Sequence, residues 1–143
     1  MSEYKIAEDV AQMQLDLMEE EFGPLDPANA DVVFNAIRRG LVDFDESSGE
    51  VTYHLQRPPQ VDSTAVDVSK VTLREPGAAE MEKVSKGLNV TANKDGTMQI
   101  DSGFAVKQAV RLVTYVGGWP AGLADRIKRR DIQVLQALSG FFA

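Results

Sequence analysis

The chain contains no cysteine and only one histidine, His54, and this scarcity excludes much of the common catalytic and metal-binding chemistry. Without thiols there is no disulfide framework, no thiolate metal site and no cysteine nucleophile. No Gly-x-Ser-x-Gly turn presents a serine, and no phosphate-binding glycine loop or calcium-loop spacing is found. The sequence therefore predicts a protein that is not an enzyme and has no catalytic residue, no cofactor and no metal site.

Long hydrophobic runs are also missing. No apolar stretch approaches the roughly 20 residues that a membrane-spanning helix needs. The first residues show no basic segment followed by an apolar run, which argues against a signal peptide. Together with the lack of cysteine, this composition favours a cytoplasmic location and no membrane partner.

Charge is distributed unevenly along the chain, although the net charge is only −7. Residues 1–50 carry 13 acidic and 3 basic side chains, whereas residues 51–143 carry 9 acidic and 12 basic ones. The acidic half is expected to repel nucleic acid, so no nucleic-acid partner is predicted. A solvated acidic surface is the favoured interpretation, and steering of a basic partner is the alternative.

Two helices are expected before residue 40. Apolar residues recur at helical spacing over residues 3–22, which predicts an amphipathic helix whose apolar stripe faces the core, with a partner-binding helix as the alternative. Asp26-Pro27 is a typical helix start, because aspartate caps the helix and proline suits its first position. This second helix is expected to end at Gly40.

The hydrophobic period changes to two after residue 40, which predicts strands at about residues 41–45, 50–57 and 64–73. A glycine-containing loop joins the first two strands, and a β-bulge near Ser69 is expected in the third. Alternation along the second strand directs its valine and tyrosine side chains to the core and His54 to solvent.

These elements predict an α+β fold that is mainly helical, with a small antiparallel sheet packed on the helices. We divide the chain into an acidic N-terminal helical segment, residues 1–40, and a hairpin with a C-terminal helical domain, residues 41–143. The two are expected to form one compact unit.

The last third of the chain consists of three predicted helical pieces. The first ends at Gly117-Gly118, where glycine closes a helix in the left-handed conformation. The second begins at Trp119-Pro120, and the third has Asp131 as its N-cap.

One basic cluster lies in this region, formed by Arg126, Lys128, Arg129 and Arg130. We interpret it as a cationic helix C-terminus that offsets the helix dipole. Contact with phosphates is an alternative, which the acidity of the chain disfavours. A third option is contact with an acidic region of another copy or of a partner.

Two stretches of the chain resemble a known family. A strand ends in Leu73-Arg-Glu-Pro76, and the tail has a Gly118-Trp-Pro120 turn, a short Leu/Arg segment, an aspartate-capped helix and a final Phe-Phe. This pattern resembles the tail assembly chaperones of Mu-like contractile-tailed phages and prophages. The resemblance covers residues 40–143, and is best at 70–76 and 111–143.

The resemblance implies a non-catalytic assembly factor of the host bacterial cytoplasm that is absent from the mature virion. Such a protein binds the tape measure protein, keeps it soluble and promotes assembly of the tail tube protein around it. Formation of a homo-oligomer is left open. The alternatives are a structural protein of the phage tail or neck and, less favoured, a small DNA-binding regulator.

The residues expected to bind partners come from the tail. Trp119 is favoured as a core residue, whereas core and interface roles weigh equally for the final two phenylalanines, since aromatic residues are enriched at interfaces. The predicted partner-binding set comprises Trp119, Phe141, Phe142, Leu112, Val116, Arg126, Arg129 and Arg130.

Overall fold

The computed structural model describes residues 4–61, 66–88, 90–92, 94–96, 98–100 and 103–142. About 49% of the chain is helical and 10% lies in strands, which confirms the predicted mainly helical α+β fold. In chain order the elements are α1 (Glu8–Phe22), α2 (Pro27–Arg38), β1 (Val42–Asp45), β2 (Glu50–His54), β3 (Lys70–Leu73), α3 (Ala78–Ser85), β4 (Val90–Ala92), β5 (Met98–Ile100), α4 (Phe104–Tyr115) and α5 (Arg129–Ser139).

The two N-terminal helices pack against each other. The first helix begins at Glu8, later than predicted, because the backbone before it bonds to the end of α2. The amides of Lys5 and Ile6 donate to the carbonyl of Arg38 at 2.7 and 2.9 Å. The second helix begins as predicted, with Asp26 accepting from the amide of Asn29.

The main sheet has the antiparallel order β1-β2-β3. Its buried face carries Val51 and Tyr53, whose partners across the ladder are Leu73 and Val71. The predicted second strand is too long, since β2 ends at His54. The amides of Gln56 and Arg57 donate to the Asp131 carboxylate of α5 and not to a neighbouring strand.

The predicted third strand, residues 64–73, is also too long. Residues 64 and 65 lie outside the described residues, and the strand itself begins at Lys70. The β-bulge expected near Ser69 is wrong. Instead, the Asp67 carboxylate accepts from both the amide and the hydroxyl of Ser69, at 2.9 and 2.5 Å, and this turn delays the strand.

The tail departs from its prediction at two places. Helix α4 ends before Gly118, which has the left-handed φ of 75°, as expected. No α-helix begins at Pro120, however: Gly122 is also left-handed, at φ 85°, and only a short 3-10 segment, Ala124–Arg126, follows. The N-cap of α5 is Lys128, so the assignment of Asp131 as N-cap is wrong.

Helix α5 contributes most to the core. It packs against both α2 and α4, while α1 covers α2 and α3 covers α4. Leu135 and Leu138 are fully buried. After the helix, the rings of Phe141 and Phe142 lie 5.6 and 5.0 Å from the ring of Phe22 in α1, so the acidic segment and the tail share one core.

Candidate functional site

A largely apolar groove lies between α3 and α4. Its volume is about 400 Å³, which is within the range of small-molecule and side-chain pockets. The floor is formed by buried residues, whereas Met81 at the edge is 48% exposed. The apolar lining comprises Pro76, Ala78, Met81, Val84, Leu112 and Phe142.

Polar contacts hold α3, one wall of this groove, at both ends. At its start, Glu80 accepts from the Arg74 guanidinium at 2.7 and 2.8 Å and from the Gly77 amide at 3.0 Å. The hydrogen bonds from Arg74 and from this amide lower the pKa of Glu80 to about 2. At the other end, Arg111 of α4 donates to the carbonyls of Val84 and Lys86. The wall is therefore fixed before any partner arrives.

The structure separates the predicted partner-binding residues into two groups. Trp119, Leu112, Phe141 and Phe142 are each at most 7% exposed and belong to the core, and Val116 is half-buried. Leu112 and Phe142 also line the groove. The three arginines of the set, Arg126, Arg129 and Arg130, are exposed. Their role in binding a partner stays a prediction.

The basic cluster lies at the opposite helix end from the one expected. Arg126 closes the 3-10 segment, Lys128 is the N-cap of α5, and Arg129 and Arg130 occupy its first turn. The interpretation as a cationic helix C-terminus is therefore wrong. Positive charge at a helix N-terminus is unfavourable, because it meets the positive end of the helix dipole.

A cleft adjoins this cluster. It runs beside the extended segment after β2, which contributes Arg57, and its volume is about 790 Å³. Asp125 is the acidic side chain in its lining. Arg126 spans the cleft and donates to the carbonyl of Gln60. Basic side chains therefore outnumber acidic ones around this concave surface.

Asp131 has a role that the sequence analysis missed. Its carboxylate is fully buried and accepts three hydrogen bonds: from the Tyr53 hydroxyl at 2.6 Å, the Gln56 amide at 2.8 Å and the Arg57 amide at 2.9 Å. Burial and this carboxylate raise the pKa of Tyr53 far above its usual value. Because Tyr53 is fully buried too, the pair has no access to a substrate and serves to fasten β2 to α5.

His54 lies on the solvent side of the sheet, as predicted. Its Nε2 is 2.9 Å from the carboxylate of Asp43 on the neighbouring strand, and both side chains are exposed. No pocket described here includes either residue. The arrangement is that of a surface pair, which contributes little to stability.

The described parts of the chain contain neither a membrane-spanning helix nor a cluster of metal ligands. None of the helices there is both long and apolar enough to cross a membrane. Within the same residues, no three His, Asp or Glu side chains come together as a metal site. Comparisons of the chain with protein-family models, with curated proteins and with solved structures found no match.

Proposed function

We propose that this protein is a non-catalytic phage tail assembly chaperone, which binds the tape measure protein, keeps it soluble and promotes assembly of the tail tube. It would act in the host bacterial cytoplasm and be absent from the mature virion. The observation that carries the proposal is the composition of the α3–α4 groove. Pro76 comes from one stretch of the resemblance, Leu112 and Phe142 come from the other, and the fold brings them into one apolar lining.

The groove suits the physical task of such a chaperone. An unassembled tape measure protein is a long helical chain, and an apolar stripe left exposed on it favours aggregation. An amphipathic helix docks into an apolar groove through side chains at positions i, i+3 or i+4 and i+7. Met81 at the edge adapts to varied side chains, because its thioether is flexible and polarisable.

The size of the groove favours reversible binding. A volume of about 400 Å³ accommodates only a few apolar side chains. Burying each contributes about 1.5–3 kcal/mol, and much of that sum is offset by the entropy lost on association. Weak binding at each groove allows the client to be released when tube subunits arrive.

The test is co-expression with the tape measure protein encoded in the same tail gene cluster. We expect the wild type to move the tape measure protein into the soluble fraction and to co-purify with it. Met81→Glu places a charge at the edge of the groove and should abolish both effects. Val106→Glu is the matched control, since Val106 is 40% exposed on α4 and does not line the groove.

Circular dichroism checks that both variants remain folded, which we expect because the side chains of Met81 and Val106 are exposed. If both variants lose the rescue of the tape measure protein equally, the α3–α4 groove is not its binding site. If the tape measure protein stays insoluble with the wild type, and the protein alone forms rings or tubes, a structural tail or neck protein is the better assignment. Steeply salt-dependent binding to duplex DNA would instead favour the regulator.

A further inference from the structure

The exposed cations around the start of α5 form no ion pair with another described residue. Between the described residues, the ion pairs are His54 with Asp43 and Arg74 with Glu80, and neither involves this region. The helix dipole adds to the positive charge there. An incoming set of carboxylates would therefore gain Coulomb energy without first breaking an existing ion pair. We call this surface the cationic patch; it consists of Arg57, Arg126, Lys128, Arg129 and Arg130.

Apolar side chains adjoin the cationic patch. A second cleft, between α2 and α5, is lined by Val32 and Val134 together with Arg39 and Arg130. Val32, on α2, is 37% exposed. The surface that meets a partner here is thus both basic and partly apolar, which is the composition that complements an acidic amphipathic helix.

The chain carries a helix of that kind. On α1, Val10 and Met13 are 43% and 62% exposed, and Leu17 continues their line at helical spacing. This stripe lies away from the buried face of α1, so the expectation that the apolar stripe faces the core is wrong for these residues. Carboxylates run along its side, and all of them are exposed: Asp9, Asp16 and Glu20.

We propose that the cationic patch binds the exposed acidic face of α1 from a second copy of this chain. The two surfaces match in charge and in apolar content, and no ion pair between described residues occupies either of them. Because they are different surfaces, the contact is either reciprocated in a two-fold dimer or repeated around a ring or along a filament. This inference concerns self-association and does not depend on the tape measure protein.

The test measures the mass of the full chain by sedimentation at low and high salt. We expect wild-type protein to associate in about 50 mM salt and to dissociate as salt rises, since the contact is partly electrostatic. Two variants reverse the charges: Arg126→Glu with Arg129→Glu in the patch, and Asp16→Lys with Glu20→Lys on α1. Each should weaken association by about tenfold or more.

Mixing the two variants supplies the decisive result. The lysines of the α1 variant face the glutamates of the patch variant, so the mixture should associate although neither variant does so alone. Lys86→Glu with Lys107→Glu makes the same charge change at exposed cations of other segments and should leave association unchanged.

Three outcomes would overturn the proposal. The first is a wild type that remains monomeric at low salt, and the second is an association that the control variant weakens as much as the patch variant. The third is salt-dependent binding of a 20-base-pair DNA duplex that the patch variant abolishes, which would assign the patch to nucleic acid. The tape measure co-expression result changes none of these readouts.

Discussion

Removing one hydroxyl group from the buried contact between Tyr53 and Asp131 is expected to destabilise the whole fold. The Tyr53 hydroxyl donates to the carboxylate at 2.6 Å, and both side chains are fully buried. Tyr53→Phe keeps the ring and its packing but deletes the hydroxyl, which donates to Asp131 and also accepts a longer hydrogen bond from Gln56 Nε2 at 3.3 Å. The change therefore isolates the hydrogen bond from the hydrophobic contribution of the side chain.

The magnitude follows from the charge of the acceptor. A hydrogen bond to a charged group contributes about 1.5–3 kcal/mol, so Tyr53→Phe should lower the free energy of unfolding by that amount. Asp131→Ala leaves three donors without an acceptor. Each orphaned donor costs about 1–3 kcal/mol, and since two of them are only partly buried amides that water can reach, we expect a total of about 3–5 kcal/mol.

Urea unfolding of the single and double variants measures these terms. In the Asp131→Ala background, Tyr53→Phe should cost almost nothing, because the hydroxyl has already lost its acceptor. The cycle should then give a coupling energy of about 1.5–3 kcal/mol at unchanged m-value. Tyr115→Phe is the matched control: Tyr115 is 46% exposed, and its loss of a hydroxyl should change stability by less than about 0.5 kcal/mol.

Additive effects of the two substitutions would refute the reasoning, since they would mean that the hydroxyl and the carboxylate do not act on each other. A Tyr53→Phe variant as stable as the Tyr115→Phe control would refute it as well.

Three other predictions concern stability. Phe142→Ala removes a ring that is 6% exposed and lies 5.0 Å from Phe22, so it should cost about 3–5 kcal/mol in urea unfolding, and an unchanged midpoint would contradict the packing described here. The pKa of Glu80 in the folded protein is depressed to about 2 from 4.5, so the contribution of its carboxylate to the free energy of unfolding is complete above about pH 4.5 and is lost as pH falls toward 2. The NMR signal of the Gly77 amide, which donates to this carboxylate, should shift over that pH range, and Glu80→Gln should abolish the shift. Gly118→Ala forces a side chain into φ 75° and should cost about 1–2 kcal/mol by thermal or urea unfolding, whereas no loss would mean that the turn relaxes.

The sequence predicts best where a local rule decides the structure. Asp26 starts α2 because its side chain caps the first turn, and Gly118 follows the end of α4 because it accepts a positive φ. The alternation of Val51 and Tyr53 with polar neighbours assigned the buried face of the sheet. All of these signals act within a few residues, so no tertiary information is needed to interpret them.

The predictions fail where a distant group competes with the local rule. Asp131 has the right residue type for an N-cap, but its carboxylate binds donors from a strand and a loop far earlier in the chain. The same bonds explain why β2 stops at His54. Spacing alone does not show which glycine of a stretch adopts the left-handed conformation. Gly122 adopts it as well as Gly118, so turns and a short 3-10 segment replace the helix expected from Pro120.

The candidate site was predictable only in part. Leu112 and Phe142 were identified from the tail, but Met81 was not, because a methionine at helical spacing is more often buried than at the edge of a groove. The arginines at 126, 129 and 130 were identified as a cluster and placed at the wrong end of a helix. A shift of three residues in the N-cap of α5, from Asp131 to Lys128, is enough to reverse the sign of their interaction with the helix dipole.

The hydrogen bonds of Asp131 also affect which parts of this protein unfold together. They join α5 to residues that lie 74 to 78 positions earlier, and two of the donors are amides in the segment after β2, outside any strand. Such amides ordinarily exchange with solvent quickly, as loop amides do. Here the amides of Gln56 and Arg57 are bonded to a buried carboxylate of α5, so we expect them to exchange more slowly than ordinary loop amides, even though they are only partly buried. The sheet and the final helix then form a single cooperative unit, whose formation waits for a contact across more than half of the chain.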